Sequence, residues 1–465
     1  MTQTASGDIE ALRAAMDGPV IAPGDPGYEE ARTVWNADID RRPAVIARCA
    51  SARDVAAAVT YAQAEGLEIA VRGGAHSMPG ASAVDDGLVV DLSRMRAVSV
   101  DPTARRARVQ GGALLGDLDA ATQEHGLAVP TGLVSHTGVG GLTLGGGMGW
   151  LTRQAGLTID NLVSAEIVVA DGRVLRAAAD ENPDLFWAIR GGGGNFGVVT
   201  EFEFRLHEVG PMVHFGLFFW GLDQGAEALR LIRDVVPDLP RSQGAIAATA
   251  LTAPPAPFVP EEHHHKQGYA LLLPGFGAAA EHQRVVDRIR AELPPLFDVV
   301  EPMPYVALQQ LFDEANAWGL HAYEKAAYLT DLTDGAIDVL TEHAPGKSSP
   351  LSLMLFYRLD QTYCEVGEAD TAFGGGRSPR YAAFLIALCP TPDLLVADRA
   401  WVRSVWDALR PHMIDVGSYV NSIHEPDEHR IRASYGPAKY DRLASIKADY
   451  DPGNVFHRNA NIKPA

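Results

Sequence analysis

The first 210 residues alternate between helical and strand-like spacing of their apolar positions. Ser51 suits a helix N-cap and Gly66 a helix end, so a helix is predicted between them, and the apolar run 67–71 predicts the strand that follows. The same order returns as a strand at 106–110 and a helix that ends near Gly126. This alternation is typical of α/β units and argues against a helical bundle.

A β-hairpin is predicted around Asp171 because Asp-Gly favours a tight turn and the apolar runs 163–170 and 174–177 flank it. A further strand is predicted at 198–206. Beyond residue 211 glycine thins and a different mixture of strands and helices begins. The runs predict strands at 213–220, 269–273, 351–359 and 381–388 and helices at 278–292 and 398–410. We therefore expect a second, α+β domain.

Composition excludes several classes of function but says less about the fold. The 465 residues are 47% hydrophobic and 21% charged, which predicts a globular protein of two or three domains, and the net charge of −20 argues against binding nucleic acid. Three cysteines without metal-ligand spacing predict no disulfide framework, and no metal site is expected, the histidine run 263–265 being interpreted as a solvated loop. Residues 1–13 lack the pattern of a signal peptide, so a soluble, cytoplasmic protein without membrane contact is expected.

Glycine-rich segments indicate the chemistry. Gly192, Gly194 and Gly197 match a dinucleotide fingerprint, but a predicted helix precedes them and a strand follows, which is the reverse of the order that a Rossmann fold needs. The segment 138–149 predicts either a nest for a pyrophosphate or a tight packing seam. His76 follows a predicted strand on a Gly-Gly loop, where backbone can approach a ligand closely.

Four segments together resemble one protein family. They are residues 72–77 (RGGAHS), residues 131–150, residues 189–200 (IRGGGGNFGVVT) and the tail from 450, with Asn454, Phe456, Asn459 and Asn461. The chain resembles flavoproteins of the vanillyl-alcohol oxidase/p-cresol methylhydroxylase (PCMH) superfamily, berberine bridge enzyme-like branch. The resemblance implies an α+β, two-domain PCMH-type FAD-binding fold with an antiparallel-sheet substrate domain. It also implies FAD binding by residues 1–208, substrate binding by 209–414, and return of 415–465 to the FAD domain.

The resemblance further implies how FAD is held. In the family the histidine corresponding to His76 is bonded to the 8-methyl carbon of the flavin. Val134 stands where many members carry a second, cysteinyl link, so no cysteinyl bond is expected. His136 is interpreted as structural or as lining the substrate pocket. The expected cofactor-binding residues are Arg72, Gly73, Gly74, Ala75, His76, Ser77, Val134, Ser135, Thr137, Gly138, Gly140, Gly141, Gly145, Gly146, Gly147, Gly149, Trp150, Gly197, Val199, Asn459 and Asn461.

The catalytic base is less clear from the sequence. Matching the family without gaps puts apolar Phe384 near the position of the base in plant members. Tyr419 and Asn421, in a segment similar to the family's Y-x-N motif, are the candidates for orienting substrate and assisting proton removal, with packing and capping as the alternative. Further unranked candidates are Tyr323, Lys325, Tyr357 and Glu365.

The resemblance implies an FAD-dependent oxidoreductase that removes a hydride from a C–H bond next to a hydroxyl or amine of a small molecule. Thr137 lies where the family controls access of oxygen, so O2 is the expected electron acceptor and an oxidase the expected activity. A dehydrogenase with another acceptor, one with noncovalent FAD, and a non-catalytic flavin- or ligand-binding protein remain as alternatives.

Overall fold

The computed structural model describes residues 9–414, 417–424 and 428–465. The first part of the chain forms the strands β1 (Val20–Ile21), β2 (Val45–Arg48), β3 (Ile69–Arg72), β4 (Leu88–Asp91), β5 (Val98–Asp101), β6 (Arg106–Gln110), β7 (Leu127–Ala128), β8 (Leu162–Val168), β9 (Val174–Ala178), β10 (Val198–Arg205) and β11 (His207–Glu208). The middle part forms β12 (Met212–Gly221), β13 (Ile246–Thr252), β14 (Gln267–Gly275), β15 (Phe297–Pro304), β16 (His321–Leu329), β17 (Leu353–Leu359) and β18 (Arg380–Cys389).

Helices connect and cover these strands. They are α1 (Ile9–Ala15), α2 (Tyr28–Arg32), α3 (Ala52–Ala64), α4 (Leu115–Gln123), α5 (Val139–Gly145), α6 (Thr152–Ala155), α7 (Pro183–Ile189), α8 (Gly225–Val235), α9 (Ala279–Glu292), α10 (Tyr305–Gln309), α11 (Asp334–His343), α12 (Thr362–Glu365), α13 (Pro392–Leu409), α14 (Glu428–Tyr435) and α15 (Pro437–Tyr450). Within the described residues no helix has the length and apolar character to cross a membrane.

The first sheet has the order β1-β2-β4-β3, in which β2, β4 and β3 are parallel. The helix predicted after Ser51 is α3, and the Ser51 side chain accepts a hydrogen bond from the backbone N–H of Asp54, as expected of an N-cap. Since α3 connects two parallel strands, the loop that carries His76 leaves the carboxyl end of β3. Loops at that end of parallel strands are where α/β proteins bind ligands.

The second sheet is antiparallel, with the order β5-β6-β10-β8-β9. The predicted hairpin at Asp171 is the pair β8 and β9. The glycine segment 191–197 runs from α7 into β10, so helix comes first and strand second. This order confirms that the segment is not a Rossmann fingerprint.

The middle part of the chain forms a seven-stranded antiparallel sheet in the order β15-β12-β14-β13-β17-β18-β16. Side chains alternate between its faces, so that Phe218 and Phe356 pack under helices α8, α9, α11 and α13, while Phe215 and Phe384 face the opposite way. The predicted helix at 398–410 begins six residues earlier, at Pro392, because proline suits the first turn of a helix. The apolar runs did not predict the other three strands of this sheet, β13, β15 and β16.

The C-terminal residues pack beside the second sheet. Tyr435 and Leu443, from α14 and α15, and Ile462, from the tail, share an apolar core with Phe202 of β10. The predicted boundary at 208 falls between β11 and β12, where the chain leaves the smaller sheets, and the predicted boundary at 415 lies outside the described residues. The tail therefore reaches the same region as the glycine-rich loops.

Candidate active site

Two glycine-bearing loops meet at van der Waals distance. A Cβ atom placed on Gly74 would lie 2.2 Å from the backbone nitrogen of Gly138, and one placed on Gly138 would lie 2.3 Å from the nitrogen of Gly74. Contacts this short are sterically impossible, so both positions require glycine. The absence of side chains brings the loop after β3 against the start of α5.

This contact places His76 next to His136. The Nε2 atom of His76 lies 2.6 Å from Nδ1 of His136, a hydrogen bond, and the ring of Trp35 stacks on His76 at 4.9 Å between centroids. Burial, together with the charge that His136 would carry, lowers the pKa of His76 to about 3. His76 is therefore neutral at physiological pH.

Both loops open into a large cavity of about 1290 Å³ between the small sheets and the seven-stranded sheet. Ordinary ligand pockets hold roughly 300–1,000 Å³, so this cavity has room for a dinucleotide and a second molecule. The predicted cofactor-binding residues that line it are Gly73, Gly74, Ala75, His76, Ser77, Val134, Thr137, Gly138, Gly140, Gly141, Gly197, Val199 and Asn459.

The other predicted cofactor-binding residues lie behind this lining. They are Arg72, Ser135, Gly145, Gly146, Gly147, Gly149, Trp150 and Asn461. Ser135 is bonded through its backbone N–H to Asp313, and Trp150 is buried against Phe312 at a ring distance of 6.0 Å. Ser135 and Trp150 therefore support the wall of the cavity without lining it.

The C-terminal tail closes one end of the cavity. Asn195 donates to the carbonyl of Ala460 (3.1 Å) and accepts from the N–H of Ile462 (3.0 Å). Lys447, fully buried, donates to the carbonyls of Asn195 (2.9 Å) and Phe456 (2.8 Å). These bonds fix the tail so that Asn459 lines the cavity.

Tyr419 and Asn421 both line the cavity, beside α5. The Tyr419 hydroxyl accepts hydrogen bonds from the N–H of Gly147 (3.1 Å) and from Nδ2 of Asn421 (3.2 Å), and burial raises the pKa of Tyr419 to about 12. The hydroxyl is therefore neutral and retains its proton to donate. Asn421 lies directly over Gly145, where any Cβ would fall within 2.3 Å of the amide. This geometry suits orientation of substrate, whereas their assistance in proton removal stays a prediction.

A carboxyl group that the sequence analysis did not single out also lines the cavity. Glu324 of β16 is 7% exposed, and burial raises its pKa to about 7, against the opposing effect of a hydrogen bond from Ser422. Its charge is close enough to act on the hydroxyls of Tyr357 and Tyr419, both in the same lining. A carboxyl that titrates near neutral pH suits a general base.

Strand pairing explains why Phe384 and Glu324 share a face. Phe384 pairs with Ala326 and Ile386 pairs with Glu324, so the two residues lie diagonally on adjacent strands and point to the same cavity. The neighbours of Glu324 point the other way, Tyr323 into the core under the helices and Lys325 over the ring of Trp406. Of the further candidates only Tyr357 lines the cavity, because Glu365 is exposed and paired with Arg241.

Comparison with known proteins gives the class. One matching family model is described as an FAD binding domain, over residues 43–178, and another as "Berberine and berberine like", over residues 418–463. An FAD-linked oxidoreductase of Dictyostelium discoideum is 31% identical, covering 97% of this chain and 95% of that protein. (R)-6-hydroxynicotine oxidase of Paenarthrobacter nicotinovorans is 31% identical, covering 97% of each.

A solved structure agrees over the whole length. The crystal structure of 6-hydroxy-D-nicotine oxidase from Arthrobacter nicotinovorans superposes with a TM-score of 0.84 and 28% identity, covering 97% of this chain and 98% of that one. Fold, cavity and matches define an FAD-linked oxidoreductase with an α+β, PCMH-type architecture. The chain belongs to the berberine bridge enzyme-like family, which confirms the resemblance read from its motifs.

The residues present fit FAD. Because Gly74 and Gly138 have no side chains, the two loops that meet there expose their backbone to the cavity. A Cβ on Gly141 would meet no protein atom within 4 Å. The Oδ1 atom of Asn459 is buried with no hydrogen-bond partner in the protein, although the residue lines the cavity. A buried acceptor of this kind needs a donor from a bound molecule. Within the described residues no group of three or more His, Cys, Asp or Glu side chains could hold a metal ion.

Proposed function

We propose that this protein is an FAD-dependent oxidase, with the flavin bonded to His76, that oxidises an apolar alcohol or amine. The observation that carries the proposal is Glu324, a buried carboxyl with its pKa near neutral in the cavity that His76 and the glycine loops also line. FAD supplies the hydride acceptor when bound. Glu324 takes the proton from the hydroxyl or ammonium group of the substrate, while the Tyr419 hydroxyl donates a hydrogen bond that orients it.

Attachment at His76 is supported by the state of its side chain. The imidazole is neutral, held between Trp35 and His136, and borders the cavity, so one ring nitrogen carries a free electron pair. Only a neutral imidazole is a nucleophile. Val134, where many relatives carry cysteine, offers no second nucleophile, which supports a single bond to the protein.

His76→Ala tests the attachment. We expect wild-type protein to keep flavin fluorescence in its band after acid precipitation and denaturing electrophoresis, and the variant to lose all of it because the nucleophile is gone. The variant should still bind FAD noncovalently, since the glycine loops and Asn459 remain. Fluorescence that persists in the variant, or wild-type protein that releases its flavin, would contradict a histidyl link.

The substrate class is supported by the seven-stranded sheet. Its side of the cavity is mostly apolar, with residues such as Phe215, Leu272, Leu353, Phe384 and Ile386. A sugar bound there would lose water from many hydroxyl groups without gaining partners, at a cost of about 1–3 kcal/mol for each unpaired group. An aromatic or alicyclic substrate with a single hydroxyl or amine loses little, and Glu324 and Tyr419 can bond that one group.

A screen of substrates under anaerobic conditions tests this class. We expect arylalkyl alcohols and aryl-substituted cyclic amines to bleach the flavin absorbance at least about 100-fold faster than glucose or cellobiose, which corresponds to about 2.7 kcal/mol of differential binding in the transition state. Equal bleaching by the sugars would contradict the proposed substrate class but not the assignment as an oxidoreductase.

Admitting air to the bleached sample tests the acceptor. Thr137, a small residue in the cavity lining, supports access of O2, so we expect the oxidised spectrum to return within seconds together with hydrogen peroxide. A reduced flavin that persists for minutes in air would instead identify a dehydrogenase with another acceptor.

A further inference from the structure

Specific contacts fix the orientation of the His76 ring relative to His136. At 2.6 Å the Nε2 atom of His76 and Nδ1 of His136 share one proton, and His136 blocks Nε2 of His76 from any other partner. Trp35 stacks at an interplanar angle of 21° on the His76 ring and holds its plane. The only nitrogen of His76 able to reach a ligand is therefore Nδ1.

The backbone on both sides of His136 is anchored as well. Ser135 donates its N–H to Asp313 (2.7 Å), and its carbonyl accepts from the N–H of Gly116 (2.7 Å). The N–H of Thr137 bonds to the carbonyl of Val134 (3.1 Å). His136 thus stands on a loop fixed to both α4 and the segment after α10, and its ring cannot drift away from His76.

We propose that His136 is a positioning residue for cofactor attachment, whose Nδ1 accepts the Nε2 proton of His76 and so leaves Nδ1 of His76 as the nucleophilic nitrogen. In the opposite arrangement His136 would donate, Nδ1 of His76 would carry the proton, and no electron pair would face the cavity. The inference rests on the proposed bond between His76 and FAD. It gives His136 a role beyond the structural or pocket-lining one that the sequence suggested.

The atoms balance in such a step. A bond forms between Nδ1 of His76 and the 8-methyl carbon of FAD, and one C–H bond of that methyl group breaks, with loss of a proton. The two electrons of that C–H bond remain on the flavin, and O2 then removes them with two protons as hydrogen peroxide. The new bond would leave His76 positively charged, and the hydrogen bond from its Nε2–H to Nδ1 of His136 stabilises that charge until the Nε2 proton is released as the second proton of hydrogen peroxide. Without an acceptor at position 136 the charge would be buried with no hydrogen bond, which is costly.

Two substitutions at position 136 distinguish the effect of losing the hydrogen-bond acceptor from the effect of losing the volume of the ring. In asparagine, Oδ1 takes the place of the histidine Nδ1 and can accept the same proton in a hydrogen bond, whereas leucine fills similar space without an acceptor. Apoprotein of wild type, His136→Asn and His136→Leu would be mixed with FAD, and covalent flavin followed over time by gel fluorescence. Noncovalent binding is measured separately by quenching of free FAD fluorescence.

We expect His136→Leu to attach FAD at least about tenfold more slowly than wild type while binding it noncovalently, and His136→Asn to recover most of the rate. Equal rates for wild type and His136→Leu would overturn the inference and leave the His76 bond intact. Slow attachment by both variants would overturn it too, because the acceptor would then not be what matters. Wild-type protein that never attaches FAD would refute the proposed bond itself.

A second measurement needs no change at position 136. Nitrogen-15 NMR of histidine-labelled apoprotein distinguishes protonated from bare ring nitrogens, and the His76 signals are those missing from His76→Ala. We expect a protonated Nε2 and a bare Nδ1 for His76. The reverse tautomer would overturn the inference even if the variants at position 136 failed to fold.

Discussion

Replacing Glu324 by glutamine should slow reduction of the flavin by substrate about 10²–10⁴-fold, equivalent to about 2.7–5.4 kcal/mol of barrier. Glutamine keeps the size of the side chain and still accepts the hydrogen bond from Ser422, but it cannot take a proton. Tyr419, with its pKa near 12, stays neutral and does not replace the lost base. The measurement is the rate of flavin bleaching after anaerobic mixing with a saturating substrate.

The pH dependence of flavin reduction is a second, independent test of Glu324. Burial raises the pKa of Glu324 to about 7, so the carboxyl is protonated and inactive below that pH and ionised above it. The reduction rate of wild type should therefore rise with pH through about 7 and level off, while the rate of Glu324→Gln should be low and flat. Glu365→Gln is the matched control, because this exposed carboxylate is outside the cavity, and it should stay within about twofold of wild type. A Glu324→Gln variant with wild-type rates would remove Glu324 from the mechanism.

Replacing Gly74 by alanine should prevent FAD binding and destabilise the protein. The new Cβ would fall 2.2 Å from the backbone nitrogen of Gly138. The atoms it meets belong to the backbone, so no flexible side chain can move aside to relieve the clash. The two loops must separate, at a cost of about 1–3 kcal/mol or more, which also moves His76 away from His136. We expect the purified variant to be colourless, to retain less than one tenth of the wild-type flavin, and to melt at a lower temperature.

Two other glycine variants separate folding from cofactor contact. A Cβ on Gly141, which lines the cavity, meets no protein atom within 4 Å, so Gly141→Ala should fold normally and, with a methyl group added to the loop proposed to hold FAD, bind FAD more weakly. A Cβ on Gly453 makes only an ordinary contact of 3.6 Å with Val455, on the exposed tail, so Gly453→Ala should change neither property. Full flavin content in Gly74→Ala would show that the two loops need not touch.

The sequence predicted local structure well at positions where a single residue favours a particular cap or turn. Ser51 caps α3, Asp171 sits at the turn of the β8–β9 hairpin, and the order of helix and strand around Gly197 ruled out a Rossmann fingerprint. The family resemblance, carried by the glycine loops and the tail, gave the α+β fold. Such signals are read within a few residues, so no knowledge of distant contacts was needed.

Glu324 and the histidine pair could not be found this way. Glu324 stands next to Lys325 in β16, and two adjacent charges interrupt the apolar run by which a buried strand is recognised, so the strand itself was missed. Its burial depends on the pairing of β16 with β18 at the edge of the sheet, more than fifty residues on. Likewise, sixty positions separate His76 from His136, and the two meet because the loops that carry them touch at Gly74 and Gly138.

The tail that Asn195 and Lys447 clamp in place has a consequence for biosynthesis. Tyr419, Asn421 and Asn459 are translated after the whole seven-stranded sheet, yet they share one cavity with His76, made more than three hundred residues earlier. A nascent chain that has emerged only as far as β18 has His76 but lacks these three residues. FAD can therefore meet the complete cavity only after residue 459 has been translated, so cofactor loading follows synthesis of the whole seven-stranded sheet.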